Sequence, residues 1–156
     1  MYRTLLLLGA LVAVSLGCNC DVMPQKAKDK FCRSDFVGVL NIVSRKNATK
    51  KFPFLTYVGH PLDKETIFKS PFTTEGKNFT IKIKTDQDLD TNAWACGVTW
   101  LENGKNYLLN GNIYHDKLHI NSCSEIDAEA EWEAVPDDIK KALSDREYEK
   151  ACFADE

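Results

Sequence analysis

The sequence predicts a mainly β fold, a small closed β-barrel with helices flanking it at the C-terminal end and disulfides holding it together. Three observations lead there. Short segments rich in β-branched and aromatic residues recur between turn signals from residue 36 to residue 120, helix-forming residues take over only beyond Cys123, and six cysteines are spread along the chain. Several short antiparallel strands followed by helix, with no internal repeat, suit a barrel without free edges.

The first strand is Phe36–Val43 (FVGVLNIV). Its near-continuous run of β-branched and large apolar residues fits a strand covered on both faces. Phe52–Val58 is a weaker strand, demoted by Pro53, because proline lacks the N–H that a ladder needs. Phe79–Thr85 (FTIKIKT) alternates cleanly and should turn one apolar face to a core. Val98–Leu101 and Tyr107–Leu109 flank Asn103-Gly104, the strongest hairpin signal in the chain. A second turn near Asp116-Lys117 joins Gly111–Tyr114 to Leu118–Ile120. Pro136 then suits a first helical turn, Asp137 and Asp138 complement its dipole, and Ile139 and Leu143 share a face. Ser144 and Glu147 match a capping box that would start a second helical segment carrying Tyr148 and Cys152.

Met1–Gly17 has one charge, Arg3, an apolar run over Leu5–Leu16, and small residues at Ser15 and Gly17, the pattern of a cleaved secretory leader. It is too short and weakly flanked to span a bilayer, and no other apolar stretch approaches the ~20 residues of a membrane helix. A lipid-attachment signal at Cys18 would need an aliphatic residue in place of Ser15 and a small one in place of Leu16. The expected division is therefore a signal peptide over 1–17 and one domain over 18–156, secreted, soluble, extracellular and monomeric. The 20 basic and 23 acidic residues give a net charge of −3, and losing Arg3 makes it more negative, which argues against a nucleic-acid binder. Glu125, Asp127, Glu129, Glu131, Glu133, Asp137 and Asp138 follow one another without an intervening base. A solvated face or loop is the simplest reading, ahead of a cation site.

Cys18, Cys20, Cys32, Cys96, Cys123 and Cys152 all lie beyond the leader, and an even number in a secreted chain points to three disulfides. Spacing alone leaves all fifteen pairings open. Zinc ligation by these thiols is disfavoured because no CxxC pair occurs and oxidation removes the thiolates a metal needs. Asn47-Ala48-Thr49 and Asn78-Phe79-Thr80 are glycosylation sequons. Catalysis finds little support. His60, His115 and His119 share no helix face, no GxSxG, HExxH or glycine-rich phosphate loop is present, and the cysteines are better explained as cross-links than as nucleophiles or a redox CxC pair. No cofactor of its own is expected.

The feature left is the terminus. Removing the leader makes Cys18-Asn19-Cys20 the start of the mature chain, with an α-amine and a carbonyl that together can close a five-membered chelate ring on zinc. Cys18-x-Cys20, Phe31-Cys32 followed by an acid and a long apolar strand, Cys96-Gly97-Val98, Tyr107-Leu108 with Gly111, Leu118-His119-Ile120 running into Cys123, and a helical tail to Cys152 together resemble the inhibitory domain of the tissue inhibitors of metalloproteinases. The resemblance covers essentially all of 18–152. It implies a netrin-like domain, an OB-type five-stranded barrel, and bridges Cys18–Cys96, Cys20–Cys123 and Cys32–Cys152. It also implies a function: secreted inhibition of matrix-type zinc metalloproteinases, with the Cys18 amine and carbonyl on the target's zinc. Cys18, Asn19, Cys20, Asp21 and Val22 would form the inserted ridge, supported by Trp94, Ala95, Cys96, Gly97 and Val98.

Two departures bear on this reading. Asn19 stands where family members usually carry Thr or Ser, and Asp21 where an apolar residue is common. The chain also ends four residues after Cys152, whereas vertebrate members carry a further cysteine-rich domain, so a single-domain, invertebrate-type form is expected. The competing readings are a non-inhibitory netrin-like module for a matrix or cell-surface partner, and a secreted thiol-redox enzyme, which predicts reducible cysteines.

Overall fold

Strand β1, Phe36–Lys46, pairs on both sides and is buried on both faces over its first half, as its composition predicts. It belongs to a computed structural model that describes residues 20, 26–52, 54–71, 81–86, 96–127 and 131–154. Helix α1, Ala27–Arg33, precedes it, and β2, Phe54–Pro61, returns antiparallel to it, with Leu40 opposite Pro61 and Lys46 opposite Thr56. An irregularity between Ile42 and Ser44 shifts this register, and beyond it β1 turns its side chains out to solvent, as an extra residue in one strand does.

β3, Ile67–Lys69, pairs with the first residues of β1. β4, Ile81–Asp86, lies antiparallel to β2; β5, Asn106–Tyr114, lies antiparallel to β1; and β6, Lys117–Ile120, hairpins back on β5 and runs parallel to β4. The ring β1–β2–β4–β6–β5 closes, giving a five-stranded mixed barrel with β3 as an added strand. After a single 3-10 turn at Trp132–Ala134 come helices α2, Asp137–Ser144, and α3, Glu147–Ala154. Among the described residues no helix is long and apolar enough to cross a membrane.

Two apolar layers follow from the alternation of β1. Phe36, Leu40 and Ile42 point into the barrel with Leu55, Tyr57, Ile83, Leu109 and Leu118. Val37 and Val39 point the other way, where Phe31, Leu108, Ile126, Val135 and Leu143 cover them. Burying one such side chain is worth about 1.5–3 kcal/mol. The Cys32–Cys152 disulfide ties α1 to α3 at the edge of this second layer, and the Phe31 and Tyr148 rings pack 5.9 Å apart beside it.

The structure corrects several expectations. Val98–Leu101 is not a strand, and Asn103-Gly104 does not join it to β5 as a hairpin: Gly104 donates its N–H to the Ile42 carbonyl and Ile42 donates to that of Lys105. β1 thus captures the turn, and Gly104 adopts φ +85° there, which glycine does at no steric cost. Tyr107–Leu109 and Gly111–Tyr114 are one strand. The β5–β6 turn sits one residue earlier than expected, on His115 and Asp116, both with positive φ (48° and 57°), as the tightest hairpins require. Ser144 closes α2 and does not cap α3. Helix α1 and strand β3 went unforeseen, since seven and three residues are too few to show a period. The acidic stretch is not wholly a solvated face, because Glu125 is fully buried.

Candidate functional site

Cys123 follows β6 within three residues, and its disulfide to Cys20 fixes the start of the described chain to the end of the barrel, with 5.3 Å between the Cα atoms. The Cys96 sulfur lies 3.4 Å from that of Cys123, and the sulfurs of Cys20, Cys96 and Cys123 all fall within 4.8 Å of one another. All three residues are disulfide-bonded. They therefore offer no thiolate to a metal, and the cluster is a covalent knot.

The loop at Cys96 is held from below by the barrel. Its carbonyl accepts from the Ser122 N–H at 2.7 Å and the Ser122 hydroxyl at 3.0 Å. Val98 donates its N–H to Thr85 Oγ1 at 2.8 Å, and its carbonyl accepts from the Tyr57 hydroxyl at 3.1 Å. Its side chain is fully buried, so Val98 anchors the loop and does not present a contact surface, while Cys96 and Gly97 are half-buried. Burial pushes the Tyr57 phenol up to about 12 from 10.0, with the Arg45 guanidinium opposing.

The segment after β6 is braced the same way. Asn121 Oδ1 accepts from the Cys123 N–H at 2.8 Å, and the Asn121 carbonyl from the Ser124 N–H at 3.0 Å. Asn110, fully buried in β5, donates to Ser34 Oγ at 2.9 Å and the Ser124 carbonyl at 2.7 Å, and accepts from the Ile126 N–H at 2.8 Å. Lys30 of α1 donates to the Glu125 carbonyl at 2.7 Å. The Glu125 carboxylate oxygens have no hydrogen-bond partner among the described residues. Burial raises its pKa well above 4.5, and the dipole of the nearby Asn110 backbone N–H, which makes no proper hydrogen bond to it, and the Lys30 charge offset only part of that.

Of the site residues expected from sequence, the structure brings together Cys20, Cys96, Gly97, Val98 and Cys123. Cys18, Asn19, Asp21, Val22, Trp94, Ala95 and the sequon asparagine Asn78 lie outside the described residues, and so does one end of the expected Cys18–Cys96 bridge. The other sequon, Asn47, is exposed at the end of β1 and accepts from Arg45 Nε at 3.1 Å. His60, His115 and His119 sit on β2, the β5–β6 turn and β6. The bracing residues Thr85, Asn110 and Tyr57 were missed, although a signal existed: Thr85 falls on the inward side of the FTIKIKT alternation, and Asn110 interrupts an apolar run. A lone polar residue on a buried face must find a partner.

Two comparisons with known proteins bear on this geometry. A family model described as tissue inhibitor of metalloproteinase matches residues 17–154. Metalloproteinase inhibitor 3 of Xenopus laevis is 28% identical over 148 residues, covering 95% of this chain and 62% of that protein. This chain therefore spans less than two thirds of that relative's length. With the barrel and its paired disulfides in place, the match over almost the whole chain identifies it as a member of the tissue inhibitor of metalloproteinase family.

Proposed function

We propose that this chain is a secreted inhibitor of zinc metalloproteinases of the matrix type, and that it works by presenting an unblocked main-chain amine to the target's zinc. The observation that supports it is the knot of Cys20, Cys96 and Cys123. The Cys20–Cys123 bond fastens the terminal CxC segment to a closed barrel beside a loop that is itself hydrogen-bonded to β2, β4 and residue 122. A segment ordered before it meets its partner loses less entropy on binding. The zinc belongs to the target; the inhibitor carries no cofactor and no catalytic residue.

In this reading the leader is removed after Gly17 and residues 18–156 form the inhibitory domain, with Cys18 first. A metalloproteinase zinc has three protein ligands and an open position for the attacking water. The Cys18 amine nitrogen and carbonyl oxygen take that position and displace the water. Asn19 enters the primary specificity pocket, Asp21 and Val22 continue along the cleft, and Trp94, Ala95, Cys96 and Gly97 support the ridge from the side.

An ordinary α-amine has a pKa of roughly 7.7–8.0, and only the neutral form ligates, so inhibition weakens as pH falls below that range. The decisive experiment compares protein whose mass shows Cys18 first with the same protein carrying one extra residue ahead of it. Inhibition should be lost in the extended form; equal potency of the two would refute the chelate mechanism.

A further inference from the structure

Beside the cysteine knot, on the outer face of the barrel, lies a cavity of about 270 Å³ lined by Lys84, Asn112, Tyr114, His119, Asn121 and Ser124 among others. Strand register explains its make-up. Lys84 stands opposite His119 across the parallel β4–β6 pair, and Asn112 stands opposite His119 across β5–β6. The neighbouring Ile83 and Leu118 point inward to the core, so by alternation Lys84, His119 and Asn112 form one outward row over three strands.

Two members of the row, Lys84 and His119, are fixed by aromatic rings. The Lys84 ammonium lies over the Phe54 ring at 3.2 Å from its centroid, an arrangement that keeps a cation in place without neutralising it. Tyr114 packs edge-on against His119, with centroids 5.7 Å apart at 70°, although Tyr114 is itself 63% exposed. Among the described residues no carboxylate lines the cavity. An ammonium, an imidazole, two amides and two hydroxyls thus belong to the lining, and none of its described residues is acidic.

We infer that this cavity is a carboxylate-binding subsite, and that its occupant is an aspartate or glutamate side chain on the inhibited enzyme, close to the rim of its cleft. The inference rests on the inhibitor reading for its partner. Its position carries that link: Asn121 and Ser124, which line the cavity, are hydrogen-bonded to each other on either side of Cys123, so the cavity adjoins the segment that the cysteines hold. Charge-assisted hydrogen bonds to a carboxylate are the strong kind, and a cationic subsite at an interface raises the association rate and favours acidic partners over basic ones.

Two measurements test it separately from the chelate. In the first, isotope-labelled wild-type protein is titrated with glutarate and with neutral glutaramide while amide NMR signals are followed. Saturable shifts at Asn112, His119, Asn121 and Ser124 with glutarate alone support the subsite; equal shifts with both, or none with either, overturn it. In the second, Lys84→Glu and His119→Asp are compared with wild type and with Lys150→Glu on the remote helix α3, against one metalloproteinase that the wild type inhibits. Each subsite reversal should weaken inhibition at least tenfold, with Lys150→Glu unchanged; subsite variants within twofold of wild type would overturn the assignment of its occupant and leave the chelate reading standing. Lys84→Gln and His119→Gln serve if a reversal prevents folding, with a smaller loss of about threefold expected of each. If the wild type inhibits no metalloproteinase, the inhibitor reading fails and the titration alone decides the subsite.

Discussion

The Tyr57 hydroxyl, rooted in the barrel core, donates to the carbonyl of Val98, 41 residues away in sequence, at 3.1 Å. That one bond couples the packing of β2 to the height of the loop carrying Cys96. Tyr57→Phe keeps the ring and leaves the Val98 carbonyl buried without its donor, which costs about 1–3 kcal/mol. Chemical denaturation should show a loss in that range, and inhibition of a metalloproteinase should weaken as the loop loosens.

The same residue sets an alkaline limit. Its phenol is pushed up to about 12 from 10.0, mainly by burial, so the folded state holds the proton more tightly than the unfolded one. The associated stability is complete below pH 10 and is lost as pH rises through 12. Following phenolate absorbance against pH should show one tyrosine titrating with unfolding in wild type. That component should be missing from Tyr57→Phe.

Glu125 acts in the same direction at lower pH. Its buried carboxyl titrates well above 4.5 because burial disfavours the charged form, so stability is fully present below about 4.5 and declines as pH rises towards the folded value. Glu125→Met, of similar size and with no charge to bury, should stabilise the protein by about 1–3 kcal/mol at neutral pH. Thermal melts across the acid range should show this gain shrinking towards about pH 4. A gain independent of pH would mean that the carboxyl is not the cause.

How much of this was legible beforehand depends on whether a feature is periodic. The two-faced burial of β1 follows from FVGVLNIV, and the inward row of β4 from FTIKIKT, because side-chain alternation is a local property. The fate of Val98–Leu101 does not, since the turn after it is bonded through Gly104 and Lys105 to Ile42 on β1, a partner that no local window contains. Glu125 was hidden for a similar reason: it opens a run of acids whose composition suggests a solvated face, and only the packing of α1 and β5 against it makes it an interior residue. Within the site, the cysteines announce themselves by type and order, whereas the hydroxyls and amides that position them depend on tertiary contact.

The cysteine knot should matter for stability as well as for inhibition. Cys20 and Cys123 are 103 residues apart, and closing a loop of that length restricts the unfolded chain by up to about 4–5 kcal/mol. The double variant Cys20→Ser with Cys123→Ser should fall in melting temperature accordingly. It should also lose inhibition at temperatures where circular dichroism still reports a folded barrel, since the terminal segment is then untethered.

Gly111 in β5 admits no side chain. A Cβ there would lie 2.1 Å from the His119 carbonyl oxygen, a backbone atom of the paired strand that cannot swing aside. Gly111→Ala should therefore destabilise by about 1–3 kcal/mol and shift the amide signals of β6. Unaltered stability would show that β6 can withdraw without cost.

The parallel seam between β4 and β6 dictates when this molecule can be finished. Neighbours that run the same way cannot be joined by a tight turn, so β4, already paired with β2, must wait while β5 is laid down and folded back before its second partner, β6, exists. Both described cross-links likewise join early cysteines to late ones, across 103 and 120 residues. Cys20 and Cys32 therefore cannot be joined to Cys123 and Cys152 until nearly the whole chain, the last helix included, has been made.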